Sequence, residues 1–531
     1  PTNRSGKFMK FKTLTSSALV CLLAACGGGG SGNTATVDPA NQADGLGDDG
    51  HTPGTVDLGS ALQPNALGGG IYRVASALSD DGRATVAWRK SPDSAGAAAV
   101  AWSQSTTNSA WSASANIAGT QNIHPAYGLI LRSNPSGNLV LGWVEQTETA
   151  TAQGPVSSSR RQAKRFITGQ GWESNKFDLS GGSPGTFGFT SAWDLSLLAD
   201  NTITTTAQLS GSTLGSTRSG ILKVAPSSAQ STLETSTDQQ LLGLINSTNF
   251  TPKSTGYGIH YHAENSANSP GRYDVLAQLV DVTQGALSAF RIGTYSALCS
   301  TPAYDEPIVA AITPQADGVV ALLTPDVSQG QSTCSQHDLQ LVRSYLASSI
   351  RIENHRANSA GTYLPVAPVV VTDQNGNALA VWKEVDGINN FDDGPSRTVR
   401  LMWSQSLNGQ PWTAAQPLIS NLSTLGSIPA LGHIALAMNP AGKAVAAVVL
   451  RDTSGSQLNQ SVVVGSFDFT NGWGAWKRVA NKQSLTEPQV AINASGQALV
   501  AYVGIPAKRV NGKAPTSISG PYDERAYALR F

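Results

Sequence analysis

The sequence predicts an all-β fold assembled from one repeated four-stranded unit, preceded by an export signal and a flexible tether. Three observations carry this. A short turn motif ending in glycine recurs six times between residues 79 and 496. Apolar stretches of strand length flank each copy, and no copy holds a sustained helical period. Ahead of the repeats, residues 26–54 contain almost no large apolar side chain and cannot build a core.

The leader comes first. Arg4, Lys7, Lys10 and Lys12 make a basic opening, and the longest pure apolar run, Ala18 to Ala25, is eight residues. A membrane-spanning helix needs about 20, so the run fits the apolar region of a signal peptide, residues 1–25. It ends Leu23-Ala24-Ala25-Cys26. This resembles the lipobox of bacterial lipoproteins, Leu-(Ala/Ser)-(Gly/Ala)-Cys. The resemblance implies that Cys26 carries a diacylglycerol on sulfur and becomes the mature N-terminus. Several acyl chains then hold the protein to a membrane, since a single chain binds only marginally. The alternative is an ordinary secretory signal with an incidental cysteine. In Gram-negative relatives an Asp directly after the cysteine retains the protein at the inner membrane. Gly27 stands there, which implies the outer membrane, on its periplasmic or cell-surface face.

Residues 26–54 read as a disordered, Gly/Ser-rich tether. Asp48, Asp49 and His51 lie within it and read as solvated linker rather than as a cation site. Losing the leader removes four cations and no acid. The 35 basic and 35 acidic residues of the full chain thus become 31 and 35, a charge of −4.

The repeats are Ser79-Asp80-Asp81-Gly82, Asn134-Pro135-Ser136-Gly137, Gln315-Ala316-Asp317-Gly318, Asp373-Gln374-Asn375-Gly376, Asn439-Pro440-Ala441-Gly442 and Asn493-Ala494-Ser495-Gly496. Asn, Asp or Ser first, Pro tolerated second and Gly fourth describe a type I turn closing on a left-handed residue, the turn-plus-bulge hairpin. Six residues past the glycines stand Trp88, Trp143, Thr324, Trp382, Val448 and Tyr502; five past stand mostly small residues. The second strand of each hairpin is therefore apolar on both faces and covered on both sides. One face takes a large ring, and the other permits close approach.

Successive glycines are 55, 58, 66 and 54 residues apart, and the gap from Gly137 to Gly318, 181 residues, spans about three periods. Two degenerate copies fill it, at Ala199-Asp200-Asn201 and Ser254-Thr255-Gly256. Third strands follow, as in Val100 to Gln104 and Leu401 to Gln405. Fourth strands open at Trp111, Trp172, Trp412 and Trp476. Four strands per 55–65 residues is one blade of a β-propeller. Residues 55–531 are thus expected to form a single eight-bladed propeller, with seven blades as the alternative. The last copy lacks a fourth strand, and Val56 to Leu58 is expected to supply it beside Ala526 to Leu529. The chain resembles bacterial lipoproteins bearing sialidase-like or related propeller repeats.

Composition excludes several partners. Zero net charge gives no basic excess for phosphate backbones, so no nucleic acid is expected. Four cysteines are too few for a disulfide scaffold or a zinc array. With Cys21 in the leader and Cys26 acylated, Cys299 and Cys334 remain. Their loops emerge at one end of an up-and-down propeller, so a Cys299–Cys334 disulfide is expected in an oxidising compartment. It would close a 35-residue loop, for which loop entropy suggests roughly 3–4 kcal/mol.

Candidate chemistry is sparse. Sialidases carry an Asp-box, Ser-x-Asp-x-Gly-x-Thr-Trp, but Ser79 to Trp88 reads S-D-D-G-R-A-T-V-A-W. The spacing differs, and the turn lies between the first two strands rather than the last two. Arg73, Arg351 and Arg400 are nameable as a carboxylate-binding trio, though no spacing selects them. Asp373, Asn375 and Asn377 echo a calcium loop, but the aligned turns lack carboxylates. His260 and His262 share a strand face without a third ligand, so no metal and no cofactor is expected. No G-x-S-x-G elbow marks a nucleophile, and the recurring tryptophans read as core. The expectation is a monomeric, membrane-anchored, non-enzymatic binding or scaffold module with an unknown protein or glycan ligand. The alternative is a surface glycan-active hydrolase, sialidase-like, with its catalytic residues unassigned.

Cys26→Ala is expected to abolish lipidation. The variant should stay uncleaved by the lipoprotein peptidase or be released in soluble form. Intact mass and membrane fractionation measure both.

Overall fold

The computed structural model describes residues 56–57, 74–90, 99–106, 111–124, 128–151, 154–180, 195–210, 217–226, 232–239, 249–252, 257–265, 272–281, 285–296, 308–312, 318–325, 337–345, 351–356, 363–386, 399–408, 410–418, 434–451, 460–474, 476–478, 482–484, 488–506 and 525–530. The expected leader, the whole tether with Cys26, and Cys299 and Cys334 lie outside them. Within the described residues every regular element is a strand.

The strands form eight sheets, all antiparallel. Sheet one runs Val74–Leu78, Ala84–Arg89, Val100–Ser105 and Ala115–Asn116 in spatial as in chain order. Sheet two repeats the plan with Ile130–Ser133, Leu139–Thr151, Gly154–Ile167 and Phe177–Asp178. Sheets three to seven open on Leu195–Leu197, Asn249–Pro252, Ile308–Ile312, Tyr363–Thr372 and Ala435–Met438. Sheet eight opens on Gln489–Ile492, followed by Ala498–Pro506 and Arg525–Arg530. Its outermost strand comes from the other end of the chain. Val56 pairs with Ala528 and Asp57 with Tyr527, as the incomplete last repeat predicts.

The first strands of the sheets touch one another in sequence, and the first strand of sheet eight touches that of sheet one. The arrangement is propeller-like: radial sheets with short strands inside. Each described interface is a separate apolar core, and the second strands show the predicted asymmetry. Trp88, Trp143 and Trp382 are fully buried and Tyr502 nearly so. Each ring packs toward the preceding sheet, while Ala87, Val381, Ala447 and Ala501 face the following one. Where two radial sheets converge, a large ring on one side needs a small residue opposite it.

The hairpin turns behave as their residues require. Gly82, Gly137, Gly376, Gly442 and Gly496 are left-handed, with φ of 75–89°. In the third copy Asn201 takes that place at φ 70°, a conformation asparagine tolerates better than most residues. The expected turn at Gln315 to Asp317 lies outside the described residues. One assignment needs correction. The indole of sheet seven equivalent to Trp111, Trp172 and Trp412 belongs to Trp473, because the residue after each donates its N–H to the third strand: Ser112 to Gln104, Glu173 to Arg165, Thr413 to Gln405 and Gly474 to Ser466. Trp476 instead fills the space left by Gly465, where a Cβ would lie 2.5 Å from the ring.

The turns also join the sheets. In Asn493 the side-chain oxygen accepts the N–H of Gln497 at 2.9 Å, within its own turn. The side-chain nitrogen donates to the carbonyl of Ser79, the first turn residue of sheet one, at 3.3 Å. Asn439 does the same toward Asn493 at 3.0 Å, and Asn134 toward Leu198 at 3.0 Å. Two arginines reinforce the joints. Arg165 reaches from sheet two to the carbonyls of Asn201, Ala225 and Pro226 at 3.0–3.1 Å. Arg530 reaches from sheet eight to those of Gly82 and Thr106, at 2.6 and 2.7 Å.

Asn493→Ala leaves a buried turn and the Ser79 carbonyl without this donor. It should cost about 1–3 kcal/mol, read as a lower urea midpoint with an unchanged slope. An unchanged midpoint would show that the clasp contributes nothing.

Candidate functional site

The second strand of sheet one ends at Arg89 and the third begins at Val100, so both lie at the end opposite the turns. Side chains alternate along a strand. Arg89 therefore shares the face of Ala87, which packs against sheet two. Only 6% of Arg89 is exposed. Lys90 follows at the rim, its Nζ 3.3 Å from Asn116 Oδ1.

The connection from sheet one to sheet two is pinned at the same end. Thr120 Oγ1 donates to the Ile117 carbonyl at 2.6 Å and accepts the Val100 N–H at 3.0 Å. Asn122 turns the chain through a left-handed residue at φ 58°. The chain then runs antiparallel to the second strand of sheet two. His124 N donates to the Val144 carbonyl and Gln146 N to the Asn122 carbonyl, both at 2.8 Å, with Ile123 bridging Glu145 between them. This fixes the backbone of His124 at the rim of sheet two, within range of the Arg89 charge. Burial lowers the imidazole pKa below its ordinary value, and the Arg89 charge lowers it further. At neutral pH His124 is therefore an uncharged base next to a buried cation.

Around them the wall is charged and internally paired. Glu145 shares the face of Trp143, toward sheet one. Both its oxygens take Lys176 Nζ, at 2.8 and 2.7 Å. Arg160 pairs with Asp178 at 2.8 Å. Lys164 is 2% exposed and donates to the Ala118 carbonyl at 2.5 Å. Burial lowers its pKa, the Lys176 charge adds to that, and Glu173 opposes it. Arg89 at the end of a sheet-one strand and His124 in the connection to sheet two thus put a cation and a proton acceptor at the same rim.

The residues named from sequence do not gather here. Arg73 lies outside the described residues, as do Asp48, Asp49 and His51. Arg351 sits in the outermost strand of sheet five, and Arg400 is exposed in the third strand of sheet six, opposite Glu384. Asp373 is not poised for calcium. Its Oδ1 accepts the N–H of Asn375 and Asn377 at 2.9 and 2.8 Å, and its Oδ2 accepts Asn377 Nδ2 at 2.7 Å. His260 and His262 lie in the second strand of sheet four, with side chains outside the description. Arg89 and His124 were not singled out by the sequence. The available signal was a comparison of the copies seven residues past the turn glycine, where Arg89 and Lys383 replace Val144, Val449 and Val503.

Comparison with protein-family profiles and with curated proteins finds no match. Solved structures do match. A polysaccharide lyase described as a PL25 ulvan lyase is 10% identical with a TM-score of 0.39, covering 91% of this chain and 97% of its own. The β-propeller domain of the Trilobed protease from Pyrococcus furiosus is 8% identical with a TM-score of 0.40, covering 77% and 98%. An α-L-arabinanase of Penicillium chrysogenum is 14% identical with a TM-score of 0.36, covering 79% and 99%. The expectation of a non-enzymatic binding or scaffold module is corrected by these findings. The similar structures are mostly glycan-active enzymes.

NMR titration of His124 should give a pKa below the ordinary imidazole value of about 6.5. In Arg89→Ala it should rise but stay below that value, because burial remains. A pKa at or above the ordinary one in the unaltered protein would contradict the placement.

Proposed function

We propose that the chain is a glycan-active enzyme working on a carboxylate-bearing polysaccharide at the cleft between sheets one and two. The observation that carries this is the buried Arg89 guanidinium beside His124. Arg89 takes the sugar carboxylate and offsets its charge, which acidifies the C–H next to it. His124, neutral at working pH, accepts that proton. The C–O bond to the neighbouring sugar breaks, its electrons leave with the glycosidic oxygen, and water protonates that oxygen. Elimination fits these groups better than hydrolysis. A glycosidase needs a carboxyl that carries a proton, and Glu145 is already taken up by Lys176.

The eight sheets are read as the blades of one closed propeller, with Val56–Asp57 as its closing strand. The leader and Cys26 support lipid anchoring at the cell envelope, on the outer membrane, and Cys299 and Cys334 a disulfide.

A panel of polygalacturonate, alginate, hyaluronan, chondroitin and ulvan tests the activity. At least one should give products with the ultraviolet absorbance of an unsaturated uronate. His124→Ala should lower kcat by about 10²–10⁴-fold, and the rate should rise with pH through the lowered His124 pKa and then level off. Reducing ends without that absorbance would establish hydrolysis instead. No turnover anywhere in the panel would overturn the proposal.

A further inference from the structure

The second and third strands of sheet two do not stop at the rim. Their pairing continues without a break from Leu139↔Phe166 to Thr151↔Gly154. The last buried residue of the outgoing strand is Val144, and the segment Thr147 to Thr151 is exposed. The bridge to Ile123 ends at Glu145, and Phe177–Asp178 pairs only with Ala163 and Gln162. Five residue pairs therefore form a two-stranded arm beyond the sheet, about 17 Å long at ~3.4 Å per residue.

The faces of this arm differ. Thr147 and Thr149 alternate in phase with Leu141, Trp143 and Glu145, and the first two of those pack against sheet one. Their face thus continues, beyond the rim, the side of the strand that faces sheet one. Outward from the rim it carries Glu145 opposite Arg160, then Thr147 opposite Ser158, with the two hydroxyls 2.9 Å apart, then Thr149 opposite Val156. Glu148 lies on the opposite face. An exposed ribbon of this kind is marginal by itself, and this face brings three hydroxyl residues, Thr147, Ser158 and Thr149, together with one apolar position, Val156.

We infer that the arm is a binding wall for the part of a glycan chain that extends beyond the reacting sugar. Hydroxyl side chains at the period of a strand form hydrogen bonds with an extended polyhydroxylated chain, and the face is continuous with the cleft. This rests on the function proposed above. The arm sets preference for long over short substrates and leaves the chemical step alone.

The test uses three variants of the full chain. In the first, Asn-Gly replaces residues 147–158, joining Gln146 to Ser159 through a two-residue turn. The second combines Thr147→Ala, Thr149→Ala and Ser158→Ala and keeps the arm. The third is Glu148→Ala, on the other face. KM and kcat are measured on the panel polysaccharide that is turned over and on its tetrasaccharide, with binding to the whole panel followed by affinity electrophoresis beside Arg89→Ala. The first two variants should raise KM for the polymer about tenfold, with kcat and all tetrasaccharide constants unchanged and Glu148→Ala silent. Unchanged polymer KM in both, with binding still lost in Arg89→Ala, would overturn the arm and spare the site. Equal losses on polymer and tetrasaccharide would also overturn it. Absence of binding by the unaltered protein to every polysaccharide would overturn the site and the arm together. Truncation that only abolishes self-association in sedimentation would make the arm a contact between copies.

Discussion

The side-chain amide at the first turn position is the interaction on which the rest of the ring depends. An amide has an acceptor and a donor on one carbon, and Asn134, Asn439 and Asn493 use both. The oxygen closes the residue's own hairpin; the nitrogen reaches the first carbonyl of the next hairpin. At these three joints one group therefore holds both the hairpin and the contact to the next sheet. These side chains are almost fully buried, at 1–3% exposure, where hydrogen bonds are strong and unmet partners costly. Aspartate can do only half of this. Asp373 closes its own turn, and the joint from sheet six to sheet seven passes instead through the backbone N–H of Gln374 to the Pro440 carbonyl at 3.1 Å.

Ring packing follows from these joints. With the turns locked together, the second strands converge at fixed spacing, and each gap holds one large ring against one small residue. The cost appears in the indoles. The Nε1 groups of Trp88 and Trp143 are buried with no hydrogen-bond partner among the described residues, whereas Trp382 donates to Glu384 at 3.3 Å. An unmet donor costs about 1–3 kcal/mol; burying an aromatic side chain contributes a comparable or larger amount. Ring volume, not the polar handle, explains tryptophan at these positions. Tyr502 makes the same point. It stacks on Tyr527 with centroids 5.5 Å apart, and burial pushes its hydroxyl pKa well above the usual range.

What could be read from sequence divides along the same line. The turn residues are dictated by backbone conformation and the rings by packing, so both recur and both were legible, as was the missing strand that Val56–Asp57 supplies. The third copy was legible despite lacking glycine because Asn201 tolerates the same φ. Trp476 was misassigned because spacing after a turn is a weak guide once a glycine such as Gly465 opens a second place for an indole. The site was not legible. Arg89 stands seven residues past a turn glycine, at the end of the strand where the copies diverge, and His124 lies in an irregular connection whose path depends on Thr120 and Asn122. Arg89 has a basic counterpart in Lys383 but valines in three other copies, and His124 has no counterpart in the turn period, so periodicity alone did not single out the pair.

The separation of the two ends has a functional consequence. The turn end is over-determined by clasps and arginines, which leaves the other end free to vary in loop length and charge without opening the ring. The Arg89–His124 pair exploits that freedom. In the function proposed above, the cation that takes the carboxylate also depresses the imidazole, so without substrate the base is weaker. A bound carboxylate offsets the Arg89 charge and removes that depression. Binding and basicity are then linked, and the linkage is reciprocal: the substrate group that Arg89 recognises strengthens the base that acts on the neighbouring C–H. Burial lowers the pKa in either state, so His124 remains uncharged and able to accept a proton at neutral pH. A cleft with the same two residues exposed to water would lose both effects to screening. The depth of Arg89 between two sheets held at a fixed angle is thus what couples the architecture to the chemistry proposed for it.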